Sequence, residues 1–381
     1  MKENLIKFIR KTFGVEKDFI PLHEPRFVGN ERKYVLDAID STFVSSVGEY
    51  VDKFEKMMCK ITGAKYAIAL VNGTNALHLS LILAGVKTDD EVLTQPLTFV
   101  ATANAISYCN ATAHFVDVDK ETLGLSPSKL EKYLEQIAEV KGGQCYNKNT
   151  GKRIAACVPM HTFGLPLYID ELVEVCNKYK IPVIEDAAES LGSYYKDKHT
   201  GTFGLLGTFS FNGNKTVTSG GGGAIVTNDP DLAKRAKHLS TQAKISHKWE
   251  YKHDEVGYNY RMPNLNAALA CAQLEQLDSY VKNKRELSDL YNEFFEQSEE
   301  IKLVREIENA KSNYWLNAIL LKDKKTRDEF LEFTNSRGIM TRPIWGLMND
   351  LEMFKNTPKS DLSNSKWLEE RVVNITSSVR I

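Results

Sequence analysis

Lys215 lies in the stretch SFNGNKTVTSGGGG, which runs from Ser210 to Gly223. A hydroxyl stands five residues before the lysine, and a run of glycines follows it. Upstream, the apolar run IPVIEDAAES turns acidic at Asp186. Pyridoxal phosphate (PLP) suits such a set well, since it needs an amine to form a Schiff base, a carboxylate to keep its ring nitrogen protonated, and donors for its phosphate. A lysine taken alone is ordinarily a solvated surface group; the pattern around this one sets it apart.

The other pieces read in the same direction. A carboxylate at the buried end of a strand is costly unless paired, and the protonated nitrogen of a pyridine ring would pair with Asp186. Asp is also a common helix N-cap, so this residue has a purely local reading as well. The turn NGTNAL follows a strand and opens a helix. Gly73 permits a tight turn there, and the amides of Thr74 and Asn75 are expected to point outward at the positive end of that helix, as a phosphate site requires. The plain alternative is a strand-to-helix connection capped by Thr74. The Ser210 hydroxyl is placed to serve the same phosphate. Phe99, in LTFVATAN, is placed to stack on the ring, although an aromatic in such a run is more often core.

Two nucleotide-binding patterns fail on spacing. GNKT looks like the end of a P-loop, but Asn214 separates Gly213 from Lys215 and Gly207 stands one residue too far upstream. The acidic strand also comes before the lysine, the reverse of the usual order. No G-x-G-x-x-G follows a strand, which argues against a dinucleotide dehydrogenase.

Short apolar runs alternate with helical patterns along the first two thirds of the chain. AIALV, EVLTQPL, HFVDVD, RIAACVPM, PVIEDAA, TFSF and GAIVT read as strands. NGTNALHLSLILAGV, PSKLEKYLEQIAEV and DELVEVCNKYK read as helices, with Gly85 stopping the first. This is an α/β pattern with a largely parallel, buried sheet, whose ligands sit at the carboxyl ends of the strands. Asp186, His161 and the Asn72–Asn75 turn all fall at such ends. The polar, Gly-rich segment 141–153 is expected to be a surface loop. Beyond residue 228 the pattern changes. PNLNAALACAQLEQLDSYVKNKRELSDLYNEFF reads as a long helical region broken once, with Pro263 near its first turn, and the remainder as a smaller α+β unit. The boundaries expected are an N-terminal helical arm at 1–25, a large PLP-binding α/β domain at 26–250 and a small C-terminal domain at 251–381.

With 381 residues the chain exceeds the usual limit for one core. A net charge of −1 gives no reason to expect nucleic acid or an anionic membrane as partner. The six cysteines are scattered without a C-x-x-C pair, which predicts free thiols in a reducing cytoplasm and no metal site. The opening segment lacks the apolar stretch of a signal peptide, and no run is long enough to span a bilayer.

NGTNALHL, LTFVATANA, FVDVD, VPMHTFGLP, VIEDAAESLGS, FSFNGNK, TSGGGG and GYNYRMPNLNAAL, in this order, resemble the sugar-nucleotide aminotransferases of the DegT type, PLP enzymes of fold type I. The likeness covers nearly the whole chain. It implies that Lys215 is the Schiff-base lysine and Asp186 the ring-nitrogen partner. Thr74, Asn75 and Ser210 match phosphate contacts, Phe99 the stacking position, and Glu189 the residue that approaches the ring hydroxyl. Asn259 matches a phosphate contact donated by the neighbouring subunit, which implies a homodimer with shared active sites. A dehydratase branch of the family has histidine where this chain has Lys215.

The segments FIPLHEPRFVGNERKYVLDAIDSTFVSSVGEYVDKFE, TRPIWGLMNDLEMF and NITSSVRI are similar to transaminases of the legionaminic acid and N-acetylbacillosamine pathways. Those enzymes move an amino group from L-glutamate to C4 of a UDP-linked 2-acetamido-4-keto-2,4,6-trideoxyhexose. Asn349 departs from the histidine expected in that tail. Relatives using GDP- or TDP-linked sugars form the nearest alternative, followed by an aminotransferase for small keto compounds and a PLP-binding regulator without turnover. On the substrate side the resemblance and the strand ends point to Ser45, Ser46, His161, Asn212 and Arg342.

Overall fold

The computed structural model of the protein describes residues 2–296 and 298–380. Helices α1 (Lys2–Phe13), α2 (Glu31–Asp40) and α3 (Glu49–Thr62) precede the first strand. Strand and helix then alternate: β1 (Tyr66–Leu70), α4 (Gly73–Leu83), β2 (Glu91–Thr94), α5 (Val100–Tyr108), β3 (Thr112–Phe115) and α6 (Pro127–Ile137). A hairpin of β4 (Ala138–Lys141) and β5 (Gln144–Asn147) leads to β6 (Arg153–Val158), α7 (Ile169–Lys178) and β7 (Ile184–Asp186). After a small hairpin, β8 (Tyr194–Tyr195) and β9 (Lys198–His199), come β10 (Leu206–Ser210), β11 (Gly223–Thr227) and α8 (Pro230–Ser240).

Strands β1, β11, β10 and β7 pair in that order, and β3, β2 and β6 pair in theirs. Parallel bridges at Cys157–Val183 and Met160–Asp186 join β6 to β7, making one continuous sheet in the order β1-β11-β10-β7-β6-β2-β3. Within it β11 runs antiparallel to both neighbours, while the β10–β7, β2–β3 and β2–β6 pairs are parallel. The mostly parallel sheet expected from the alternation is present. It is buried on both faces, as such sheets are. In β1, Ile68 and Leu70 enter the core formed with α4, α5 and α8, whereas Ala67 and Ala69 face the core formed with α3 and α9 (Asn264–Leu274).

The segment 141–153 is not a loop as expected; much of it belongs to the β4–β5 hairpin. Gly142 and Gly143 both have positive φ, 56° and 77°, the conformation a tight hairpin turn needs. Glu91 holds the end of this hairpin, accepting from Asn147 Nδ2 at 2.8 Å and, just beyond the hairpin, from Thr150 Oγ1 at 2.6 Å.

A short hairpin, β12 (Lys244–Ile245) with β13 (Lys252–His253), precedes the long helical region. That region breaks once, at Glu275–Gln276, into α9 and α10 (Leu277–Phe295), and Pro263 caps the start of α9. The chain then forms β14 (Lys302–Leu303), β15 (Ala310–Lys311), β16 (Asn317–Leu320), α11 (Lys324–Asn335), β17 (Arg342–Pro343), α12 (Ser363–Glu369) and β18 (Val372–Ile375). An antiparallel sheet in the order β14-β16-β18-β17 results, and β15 pairs with β8 instead. One face of this sheet packs on Leu5, Ile9, Leu287, Tyr291 and Phe330, from α1, α10 and α11. Ala318 and Val372 belong to a different core, which also contains Leu97, Val118 and Phe163 from loops beside the first sheet. No helix among the described residues is long and apolar enough to cross a membrane.

Candidate active site

The carboxyl ends of β1, β7 and β10 open on a cavity of about 320 Å³. Asp186 closes β7 and is 3% exposed. Its Oδ2 accepts from the Thr102 hydroxyl at 2.7 Å and its Oδ1 from the Ala188 N–H at 3.1 Å. Both donors are neutral. Burial raises the pKa of this carboxyl, with Thr102, Ala188, Lys215 and His161 pulling the other way. A buried carboxylate without a hydrogen-bonded cation favours a ligand that supplies one.

Lys215 reaches the cavity from the loop after β10. Its Nζ lies 3.2 Å from Glu189 Oε1, and its side chain is 13% exposed. Glu189 Oε2 accepts from the Phe163 N–H at 2.9 Å. Burial pushes the Glu189 carboxyl up to about 7 despite the nearby Lys215. An amine and two buried acids therefore share one small space.

The start of α4 supplies the anion side. Asn72 is its N-cap, with Oδ1 accepting from the Asn75 N–H at 2.8 Å. Thr74 is thus not the cap, and the Asn75 amide does not point outward as expected, because the cap engages it. The amides of Gly73 and Thr74, in the first turn, have no partner inside the helix. A Cβ built on Gly73 would come within 2.8 Å of Ser210 Cβ. Only glycine lets the helix start sit against the Ser210 hydroxyl, and the cradle so formed has the donors a phosphate needs.

Phe99 is half exposed and lines the cavity, so it is not plain core. Thr102, one helical turn further along α5, lines it too. A planar ring with a cationic nitrogen, an aldehyde and a phosphate fits this donor set: Asp186 for the nitrogen, Lys215 for the aldehyde, Gly73, Thr74 and Ser210 for the phosphate.

Residues 25–381 match the DegT/DnrJ/EryC1/StrS aminotransferase family. The chain belongs to that family. It is 38% identical to a GDP-perosamine synthase of Escherichia coli O157:H7 over 88% of this chain and 87% of the relative. It is 35% identical to a GDP-perosamine synthase of Vibrio cholerae over 94% of each. An aminotransferase named TlmJ, from Streptoalloteichus hindustanus, superposes with a TM-score of 0.85 over 94% of this chain and 93% of that one, at 23% identity, and shows the same fold. The chain is an aminotransferase, its cofactor is PLP, and its fold is type I of the PLP enzymes.

Of the residues singled out from sequence, Gly73, Thr74, Phe99, Asp186, Glu189, Ser210, Asn212 and Lys215 line one cavity. Others lie elsewhere. His161 is fully buried away from the cavity, with Nε2 3.0 Å from Glu185 Oε2 and Nδ1 accepting from the Leu167 N–H. It satisfies a buried carboxylate rather than facing a ligand. Arg342 is exposed and donates to Asn335 Oδ1 and its neighbour's carbonyl. Ser46 lines a separate groove with Lys237 and Arg261, and the Ser45 carbonyl accepts from the Asn264 N–H at 2.5 Å. Asn259 is exposed and accepts from Arg261 Nε, outside the cavity of its own chain.

The cavity also contains residues that sequence reasoning missed: Thr102, Met160, Trp315 and Trp345. Thr102 stands three residues after Phe99 on a helix, a spacing that was readable. Trp315 and Trp345 come from the C-terminal part of the chain, and no local signal marks them. His23 is a further surprise. Both its ring nitrogens are buried without a hydrogen-bond partner among the described residues, and burial, then Lys284 and Lys215, hold its pKa well below the usual value.

Proposed function

We propose that the protein transfers the amino group of L-glutamate to C4 of a nucleotide-linked 4-keto-6-deoxy sugar, with Lys215 as the catalytic amine. The observation that carries this reading is the shared cavity in which the Lys215 amine, the Asp186 carboxylate and the Gly73–Ser210 cradle converge.

Bound PLP supplies an electron-withdrawing ring that stabilises negative charge on the carbon next to the reacting nitrogen. The residues of the chain do the rest. Asp186 keeps the ring nitrogen protonated. Ser210 and the first amides of α4 would hold the phosphate, and Phe99 would pack on the ring. Lys215 would hold the cofactor through its amine and, when that amine is free, would take a proton from Cα of glutamate. In the second half of the cycle it returns a proton to C4 of the sugar. Proton transfer by a placed group of this kind contributes roughly 10²–10⁴-fold. Glu189, 3.2 Å from the Lys215 amine, is placed to pair with the positive charge that the amine acquires on taking a proton.

The GDP-perosamine synthases among the relatives favour a GDP-linked sugar. The front and tail segments favour the UDP-linked 2-acetamido sugar of the legionaminic acid and bacillosamine routes. The proposed substrate is GDP-linked. The match of Asn259 to a phosphate contact donated by a neighbouring subunit supports a homodimer in which it serves the neighbouring site. Incubating the enzyme with glutamate and GDP-, UDP- or TDP-linked 4-ketosugars, and following 2-oxoglutarate, tests the assignment. Turnover confined to the UDP sugar replaces the GDP reading, and turnover on free keto acids alone ends the sugar reading altogether.

A further inference from the structure

The Lys215 amine has a second neighbour besides Glu189. The ring of Trp315 lies with its centroid 4.0 Å from Nζ. A cation over an indole face is attracted by the ring quadrupole, most strongly where water is excluded, and Trp315 is 5% exposed.

Trp315 is held at three atoms, one on its indole and two on its backbone. Its Nε1 donates at 2.6 Å to the carbonyl of Asn214, the residue before Lys215. Its backbone N–H donates to Asn313 Oδ1 at 2.8 Å, and Asn313 Nδ2 donates to the Glu189 carbonyl at 2.9 Å. Its own carbonyl accepts from Lys284 Nζ at 3.1 Å. Lys284 is fully buried, and its other acceptor is the Ser377 carbonyl at 2.5 Å. Burial drives the Lys284 pKa well below the usual lysine value, and its two carbonyl bonds fasten the Trp315 backbone to the Ser377 segment. Trp315 and Glu189 are thus tied to each other through Asn313, and Trp315 is tied to the loop that carries the amine.

We propose that Trp315 is a positioning residue for Lys215: its indole face and the Glu189 carboxylate form the resting place of the amine whenever it is not joined to the cofactor. This rests on the reading of Lys215 as the attaching amine. A lysine side chain free to sample its rotamers is poorly placed to attack. Held at this place, it stays beside the position that the cofactor occupies.

The test is the rate at which the cofactor-free protein attaches PLP, followed by stopped-flow absorbance, in Trp315→Leu, Trp315→Phe and Lys215→Ala. Trp315→Leu is expected to slow attachment about tenfold at a temperature where circular dichroism shows the cofactor-free variant fully folded, although loss of the buried ring lowers its melting temperature. Trp315→Phe keeps an aromatic face, loses the bond to Asn214, and is expected to recover most of the rate. Equal rates in Trp315→Leu and wild type overturn the proposal, as does equal slowing in the Leu and Phe variants. If Trp315→Leu does not fold, Trp315→Met takes its place under the same criteria. Lys215→Ala separates the two readings: covalent attachment that survives it removes the assignment of Lys215 itself, whereas its loss beside a normal rate in Trp315→Leu removes only the resting place.

Discussion

Asp186→Asn should weaken cofactor binding while leaving the cofactor-free chain as stable as before, or more so. The reasoning starts from the hydrogen bonds. Asp186 accepts from the Ala188 N–H and the Thr102 hydroxyl. An asparagine in the same rotamer keeps the first bond through its carbonyl. Its amide faces Thr102, whose hydroxyl can turn to accept and then donate to Thr98 Oγ1, 3.0 Å away. Little bonding is lost. Burial raises the Asp186 pKa, so the folded chain holds this proton more tightly than the unfolded chain does. The charge therefore costs stability as pH rises from the unfolded carboxylate value through the raised folded value, and asparagine removes that cost. With PLP bound, the same charge is half of a buried pair. Removing one partner of such a pair costs about 3–5 kcal/mol, or roughly two to four orders of magnitude in Kd. Fluorescence titration with PLP and calorimetry of the cofactor-free chain at pH 8 measure the two effects separately. A variant that binds PLP like the wild type but melts several degrees lower would refute the argument and make Asp186 a structural cap.

Replacement of Lys215 by Ala or Arg should abolish turnover with glutamate, and an unchanged rate would end the assignment. Glu189, pushed up to about 7 by burial, binds its proton more tightly in the folded state, so the cofactor-free chain should lose stability as pH climbs from about 4.5 to 8. Glu189→Gln should remove about 2–3 kcal/mol of that slope in paired denaturation curves; identical slopes would show that the carboxyl titrates normally. Gly73→Ala would place a methyl 2.8 Å from Ser210 Cβ and should cost about 1–3 kcal/mol in folding while weakening PLP binding at least tenfold; normal affinity would mean the cradle does not hold the phosphate. Mixing Lys215→Ala with Asn259→Ala protein should restore about a quarter of wild-type activity if each site takes its lysine from one subunit and Asn259 from the other. Activity that never exceeds the sum of the two separate variants would place Asn259 outside the neighbouring site.

What the sequence conveyed, and what it withheld, follows one physical division. Short-range patterns encoded β1, β6, β7 and β10 as apolar runs, and the residues at the ends of the last two strands, Asp186 and Ser210, were legible because a polar group ending a buried strand is itself unusual. Lys215 was legible through the glycines and hydroxyl around it. The hairpin at 138–147 was misread because Gly142–Gly143 looks like loop composition until its role as a two-residue turn is considered. His161 was misread for a different reason. It too ends a strand, but its partner, Glu185, lies on the adjacent strand, and nothing local distinguishes a histidine facing a ligand from one satisfying a neighbouring acid.

Trp315 and Trp345 were out of reach because their place depends on the packing of the second sheet against the loops of the first. Leu97, Val118 and Phe163 share one core with Ala318 and Val372, so residues more than 150 positions apart fix the same wall. That wall also explains why the second sheet matters for chemistry. The loop leading into β16 carries Trp315 over the Lys215 amine, and Asn313 in the same loop donates to the Glu189 and Leu191 carbonyls. Loosening the contact between the sheets should therefore disturb the amine and Glu189 together, without touching Asp186 or the Gly73–Ser210 cradle. A destabilising change in that core, such as Phe163→Ala, should cost about 3–5 kcal/mol of folding stability. If the chain still folds, it should impair attachment at Lys215 more than it impairs phosphate affinity. Equal loss of both would mean that the cavity moves as one piece with the second sheet.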